Sequence, residues 1–206
     1  SLLPPVNGKN DSIAEISLSF VGDLMCHKPQ SNNALKSDGS YDFTGSFAYV
    51  KKYLSEADIT IGNLETTLAG TSRPYAGYPA FNSPDAYIPA LKDAGFDFLV
   101  TANNHSMDTG EDGILRTIEV IKKNNLPYAG TYASQADHDS VRILTIKGLK
   151  LAVLNYTYGT NGSYPKKDHK YMLNVIDSTN ITNEIKKAKQ LGSDIVLVFY
   201  HFGVEN

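Results

Sequence analysis

The 206-residue sequence has a single cysteine, Cys26, and no tryptophan. One thiol excludes an internal disulfide framework, and with it the small stapled scaffolds. It leaves the compartment open, because many surface proteins of this size carry no disulfides. Long hydrophobic runs are missing too: no stretch of 18 apolar residues occurs, so these residues hold no membrane-spanning helix. Charge of one sign is also scarce. Nineteen Lys and Arg stand against 22 Asp and Glu, a net charge of −3. That balance gives no general pull toward nucleic acid or anionic membranes, so no nucleic-acid partner is expected and any anion site must be local.

What is present suits a soluble globular core. Hydrophobic residues make up 41% and charged residues 20%, with 13 tyrosines. The length supports one sizeable core, or at most two small domains. Residues 1–15 begin without Met and read as a linker, and residues 16–206 as the folded domain. An apolar strand at 195–199 lies seven residues from the last residue, Asn206. A strand and its exit loop seldom close a domain, so the expectation is an N-terminal part whose domain continues past Asn206.

Strands alternate with helices along the chain. Residues 16–21 alternate and then run apolar as a strand does, stopping at Gly22-Asp23. Phe47, Val50 and Leu54 keep helical spacing, and residues 58–61 form a second strand ending in Gly62-Asn63-Leu64-Glu65. Ser83 as N-cap, Pro84 at the first helical position and Gly95 past the end bracket a helix with Tyr87, Ala90, Leu91 and Ala94 on its apolar face. A third strand spans 96–100. Ile114, Leu115, Ile118 and Ile121 mark another helix, closed by Lys122 and Lys123. Residues 141–146 and 151–156, joined by Lys147-Gly148-Leu149-Lys150, read as a β-hairpin. A last helix carries Ile181, Ile185, Ala188 and Leu191 up to Gly192, and the strand at 195–200 ends in His201. Being apolar on both faces, that strand is expected to be central in its sheet. The pattern predicts an α/β domain with a mixed sheet and no internal repeat.

Four of the six strands end in polar groups with metal-ligand or acid–base chemistry. They are Asp23, with His27 four residues on; Asn63 and Glu65; Asn103, Asn104 and His105; and His201, with Glu205 four on. Loops at the carboxyl ends of strands converge on one crevice in α/β folds, which is where sites collect. Taken singly, Gly-Asp is an ordinary turn and Asn-Asn a good turn or cap pair. Recurrence at four strand ends, and its lack at the hairpin, favours a shared site. Its oxygen and imidazole donors suit Mn, Zn, Fe or Mg rather than a thiolate-bound metal.

Other segments carry weaker signals. Lys166 and Lys167, in the basic run 163–170, and Arg73, before the aromatic, Gly- and Pro-rich loop to Phe81, are candidates for meeting an anionic substrate; the same composition also suits solvated loops. His138 lies in a loop-like Ala-Asp-His-Asp run and is assigned no role. Cys26, in an apolar Leu-Met-Cys run, reads as an inert buried thiol.

The segments FVGDLMCHKPQ, IGNLETTLAG, FNSPDAYIPALKDAGFDFLVTANNHSMDTG, LNYTYGTNG and YHFGVE, in that order, resemble the CapA (PgsA) family of poly-γ-glutamate biosynthesis proteins, relatives of the calcineurin-like metallophosphatases. The resemblance covers roughly residues 16–206. It implies a metallophosphatase-like α/β sandwich and a role in making or exporting an anionic γ-linked polymer as part of a membrane-bound capsule synthesis complex. It also implies a place on the extracellular face of the bacterial membrane, anchored by a segment not in this chain. By position, Asp23 and His27 resemble ligands of a first metal, Glu65 the bridging carboxylate, Asn104 the amide ligand of a second metal and His201 a further ligand. His105 resembles the imidazole that protonates a leaving group. Two divalent ions are thus expected in the full-length protein.

The sequence departs from the metallophosphatase pattern in three ways. Asp23 and His27 are separated by three residues rather than one, the bridging position holds Glu rather than Asp, and a closing Gly-x-His-x-His motif is expected only beyond Asn206. Three roles stay open: a metal-dependent phosphoesterase, a hydrolase or transferase acting on a γ-glutamyl amide, and a non-catalytic surface component that binds the anionic polymer.

Overall fold

A computed structural model describes residues 15–203. The expected linker therefore lies, except for Glu15, outside the described residues, as does Glu205. Strands β1 (Leu18–Leu24), β2 (Ile59–Leu64), β3 (Phe98–Val100) and β4 (Tyr128–Ala129) form a four-stranded parallel sheet in that order. Strands β5 (Arg142–Ile146), β6 (Leu149–Thr157) and β7 (Ile195–His201) form a second sheet, in which β6 is antiparallel to β5 and parallel to β7. The expected mixed sheet is this second one.

Period-two side-chain alternation explains how the sheets stack. Ile59, Ile61, Phe98 and Val100 of the first sheet share a core with Leu151 and Val153 of β6, and Ile195, Leu197 and Phe199 of β7 pack against it. The intervening residues of the second sheet, Leu154, Tyr156, Val196 and Val198, pack against Ile181 and Ile185 of helix α7 (Ser178–Gln190). Helices α4 (Tyr87–Ala94) and α5 (Gly110–Lys123) cover the opposite face of the first sheet with Ile88, Leu91, Ile114, Ile118 and Ile121. The result is an α/β/β/α sandwich. Both faces of β7 are covered, which accounts for its apolar composition. Among the described residues, however, it pairs only with β6 and forms the end of its sheet, not the centre.

Shorter helices connect these layers: α1 (Lys28–Ala34), α2 (Thr44–Phe47), α3 (Lys51–Leu54) and α6 (Gln135–His138), with α7 spanning Ser178–Gln190. The spacing of Phe47, Val50 and Leu54 belongs to two separate turns of helix, and Val50 is exposed. The helix expected from Pro84 starts at Tyr87 instead. Ser83 does not cap it; its hydroxyl bonds Thr66 at 2.6 Å, while Tyr87 N–H reaches back to the Pro84 carbonyl in a preceding turn. Gly95 does end α4, at φ +108. Leu115 and Leu191, expected on buried faces, are exposed. The hairpin turn tightens to Lys147-Gly148, both at positive φ, as a two-residue connection requires.

Two local devices position the strand ends. The β1–β2 register shifts between Val21 and Asp23, so that Asp23 sits opposite Asn63. Such an irregularity re-aims a side chain at the rim of a sheet. The second device ties the sheets together. Asn155 Oδ1, on β6, accepts from Thr101 N–H at 3.0 Å and Ala102 N–H at 2.6 Å, just past β3. Gly130, at φ +114, makes room for it: a Cβ there would lie 2.1 Å from Asn155 Oδ1.

Candidate metal centre

Asp23, Glu65 and His201 offer ligand atoms that all lie within 4.8 Å of one another. Each comes from the end of a different strand. Asp23 is placed by the β1 irregularity. Glu65 follows β2, with its own N–H bonded to the Leu24 carbonyl at 3.2 Å. His201 ends β7 and crosses from the second sheet, with Nδ1 3.7 Å from Asp23 Oδ1 and Nε2 3.8 Å from Glu65 Oε1.

The turn after β3 completes the cluster. Asn103 is fully buried and structural: its amide donates to the Leu64 carbonyl at 2.8 Å and to Asn63 Oδ1 at 3.1 Å, and its Oδ1 accepts from His105 N–H. The Ser106 hydroxyl closes the same turn by bonding the Thr101 carbonyl at 2.7 Å. This scaffold presents Asn104 and His105. Asn104 Oδ1 lies 2.8 Å from His201 Nε2. His105 Nε2 lies 4.0 Å from Glu65 Oε1, and its Nδ1 is 2.7 Å from Asp108 Oδ2. Asp108 is itself fixed by the Phe81 N–H at 2.6 Å.

The structure thus brings Asp23, Glu65, Asn104, His105 and His201 together. His27 stands outside this group of ligand atoms. It is exposed, and its ring meets Phe81 edge-on at 5.1 Å, while Phe81 meets His105 at 4.7 Å on the site side. Arg73 and Lys166 line one concavity with Tyr164 and the start of α5, of about 290 Å³. A smaller hollow of about 180 Å³, lined by Asn104, Asp108 and Asn161, opens beside the ligand cluster. Lys167 is exposed and lines neither.

Three partners stand beside these residues: Asn63, which the sequence marks as a strand-end polar group without a ligand role, and Asp108 and Asn161, which it does not single out. Asn63 donates to Asp23 Oδ1 at 2.8 Å and lies 3.3 Å from both Glu65 Oε2 and His201 Nδ1. Asp108 was signalled only by its place three residues after His105. Asn161 accepts from Asn104 at 3.3 Å and approaches His105 Nδ1 at 3.4 Å, and its Gly-Thr-Asn-Gly context reads as a plain turn. Between the two partners of His105 Nδ1, the shorter contact to the carboxylate sets the ring orientation. Cys26 takes no part: burial pushes its thiol above the ordinary value, against hydrogen bonds to Ser31 and Ser83.

The donor set fits a divalent cation. Two carboxylates, an imidazole and an amide oxygen are held by strand ends, and the neighbouring amides of Asn63 and Asn103 keep their geometry without competing as thiolate ligands would.

Comparisons with known proteins address the chain's family and fold. The family model for Bacterial capsule synthesis protein PGA_cap matches residues 17–206. The Capsule biosynthesis protein CapA of Bacillus anthracis is 26% identical over 199 residues, covering 93% of this chain and 47% of that protein. The PGA biosynthesis protein CapA of Bacillus subtilis (strain 168) is 27% identical over 205 residues, covering 98% of this chain and 52% of that protein. The chain therefore spans about half the length of the curated relatives it matches. Among solved structures, a putative 5'-nucleotidase from Staphylococcus aureus superposes with a TM-score of 0.54 at 15% identity, covering 92% of this chain and 38% of that one. The fold is metallophosphatase-like, and by its sequence the chain belongs to the bacterial capsule synthesis protein PGA_cap family.

Proposed function

We propose that this chain carries a divalent-metal hydrolase site that serves capsule polymer synthesis or export at the outer face of the bacterial membrane, acting on a phosphoester or a γ-glutamyl amide. One observation carries the reading: ligand atoms of Asp23, Glu65 and His201 within 4.8 Å, beside an imidazole held by its own carboxylate. Asp23, Glu65, Asn104 and His201 would hold metal. A bound divalent ion supplies a Lewis acid that polarises the scissile group.

The chain's own residues then do three things. With both ring nitrogens protonated, His105 donates Nδ1–H to Asp108, and Nε2–H faces the site as the proton given up to a leaving group, after which the ring is neutral with its remaining hydrogen on Nδ1. Phe81 packs edge-on against the same ring and shields it from water on that side. Arg73 and Lys166 line the neighbouring concavity with Glu111 and Asp112; Lys166 Nζ is 3.6 Å from Glu111 Oε2, which makes Arg73 the basic group that would meet the remainder of an anionic substrate. That concavity is separate from the ligand cluster, and this favours a second reading in which the protein holds the anionic polymer without cleaving it.

The test is elemental analysis of protein loaded with Mn or Zn, followed by turnover of an aryl phosphodiester and a γ-glutamyl anilide. It is run on this chain and on a chain of the relatives' length, where turnover is expected. His105→Ala should leave metal content unchanged and lower turnover on the order of 10²-fold. Metal without turnover in the longer chain supports polymer binding instead. A protein that takes up no divalent ion at all refutes the metal site.

A further inference from the structure

A cavity of about 740 Å³ lies outside the metal cluster, between α6, the outer face of β6, the segment after Tyr164 and helix α7. None of its lining residues is a candidate metal ligand. Its size falls in the range of small-molecule sites, roughly 300–1,000 Å³.

A connected polar floor runs along it. Asn174 Nδ2 donates to the Tyr132 hydroxyl at 3.3 Å, and its Oδ1 lies 3.1 Å from His138 Nε2. The buried Tyr156 hydroxyl donates to Glu184 Oε2 at 2.6 Å. The other oxygen, Oε1, lies 3.7 Å from His138 Nε2, an ion-pair distance beyond hydrogen-bond reach, on a residue that lines the cavity. Burial holds the phenols of Tyr132 and Tyr156 well above their ordinary values, the former at about 12, so both remain hydroxyl donors. Asn180 and Asn183 of α7 also line the space, and their side-chain amides bond no described residue. Leu173, Val175 and Ile176 supply an apolar wall, and the last two are exposed at the surface.

Charge narrows the ligand class. The lining has three basic residues, Arg142, Lys170 and Lys187, and three acidic ones, Asp139, Asp177 and Glu184. Arg142 is already committed to Asp137 at 2.5 Å. A charged ligand would enter a lining without net charge to compensate it and would lose its hydration. A neutral molecule with several hydroxyls and an apolar ring face matches the amides, phenols and the Glu184 carboxylate above the aliphatic wall. We propose that this cavity binds a neutral polyhydroxylated ligand of mono- to disaccharide size, independently of the metal centre.

Saturation-transfer NMR and calorimetry with glucose, N-acetylglucosamine and maltose test this, with glutamate and glycerol phosphate as charged comparators. At least one neutral sugar should bind saturably, and the comparators should not. Asn183→Ala, on a surface helix, should weaken binding about tenfold, and Val175→Trp should block the cavity while the fold is retained. The proposal is overturned if no sugar binds at about 10 mM. It is equally overturned if only the anions bind, or if binding is unmoved by both substitutions.

Discussion

Glu65 shows what a single side chain reveals about this site. Its carboxylate is almost wholly buried, at 4% exposure, which costs several kcal/mol unless neighbours compensate. Its neighbours include the Asn63 amide at 3.3 Å and two imidazoles at 3.8 and 4.0 Å, with the second carboxylate, Asp23, close by. Two acids sharing one small volume repel when no cation lies between them. Glu65→Gln should therefore change the metal-free protein's stability by no more than about 1 kcal/mol, or raise it, while weakening metal binding at least about tenfold. Thermal melts of chelated and metal-loaded protein read both effects; a Gln variant that unfolds without metal would make Glu65 a structural residue. At this scale the sequence was informative wherever a polar residue interrupts an apolar strand, as at Asp23, Glu65, His105 and His201. It was silent on Asn161, which reaches the site from a turn with no strand-end signature, and it did not show that His27 would stand apart from the group of ligand atoms. Helix α1 starts at the very next residue, and the ring packs edge-on against Phe81.

Among elements, legibility followed periodicity. Strands β6 and β7 are long enough to show two different apolar faces, and the sequence exposes them. Strand β4 is only Tyr128–Ala129, too short to alternate, and α1, with the sequence KPQSNNA, has no apolar stripe to find. The junction between β4 and β6 is likewise invisible in the sequence, because Gly130 and Asn155 are 25 positions apart and nothing in the strand pattern around Asn155 points to Gly130. It is nonetheless where the sheets are pinned. Gly130→Ala should cost about 2–5 kcal/mol, combining a disfavoured φ with a Cβ 2.1 Å from Asn155 Oδ1. Gly148→Ala, at φ +86 in the hairpin turn with open space around it, should cost only about 1–2 kcal/mol. Urea denaturation of both variants separates the two contributions; equal costs would show that backbone conformation alone matters at Gly130.

For the molecule as a whole, the important fact is that the ligand cluster draws on both sheets. Asp23 lies near the end of a strand of the first, Glu65 and Asn104 come just after two others, and His201 ends a strand of the second. The core between the sheets is aliphatic and aromatic, and such contacts resist separation more than sliding. A slip of β7 by one residue, about 3.3 Å, would carry His201 out of reach of its partners. A bound ion would therefore act as a latch against shear between the two layers. At a metal concentration 100-fold above the dissociation constant, the folded state should gain about 2.7 kcal/mol. Amide exchange should slow most in β7, the end strand that otherwise has one paired side among the described residues. Removing the ion should restore fast exchange in β7 first, ahead of β2 and β3, whose neighbours hold them on both sides.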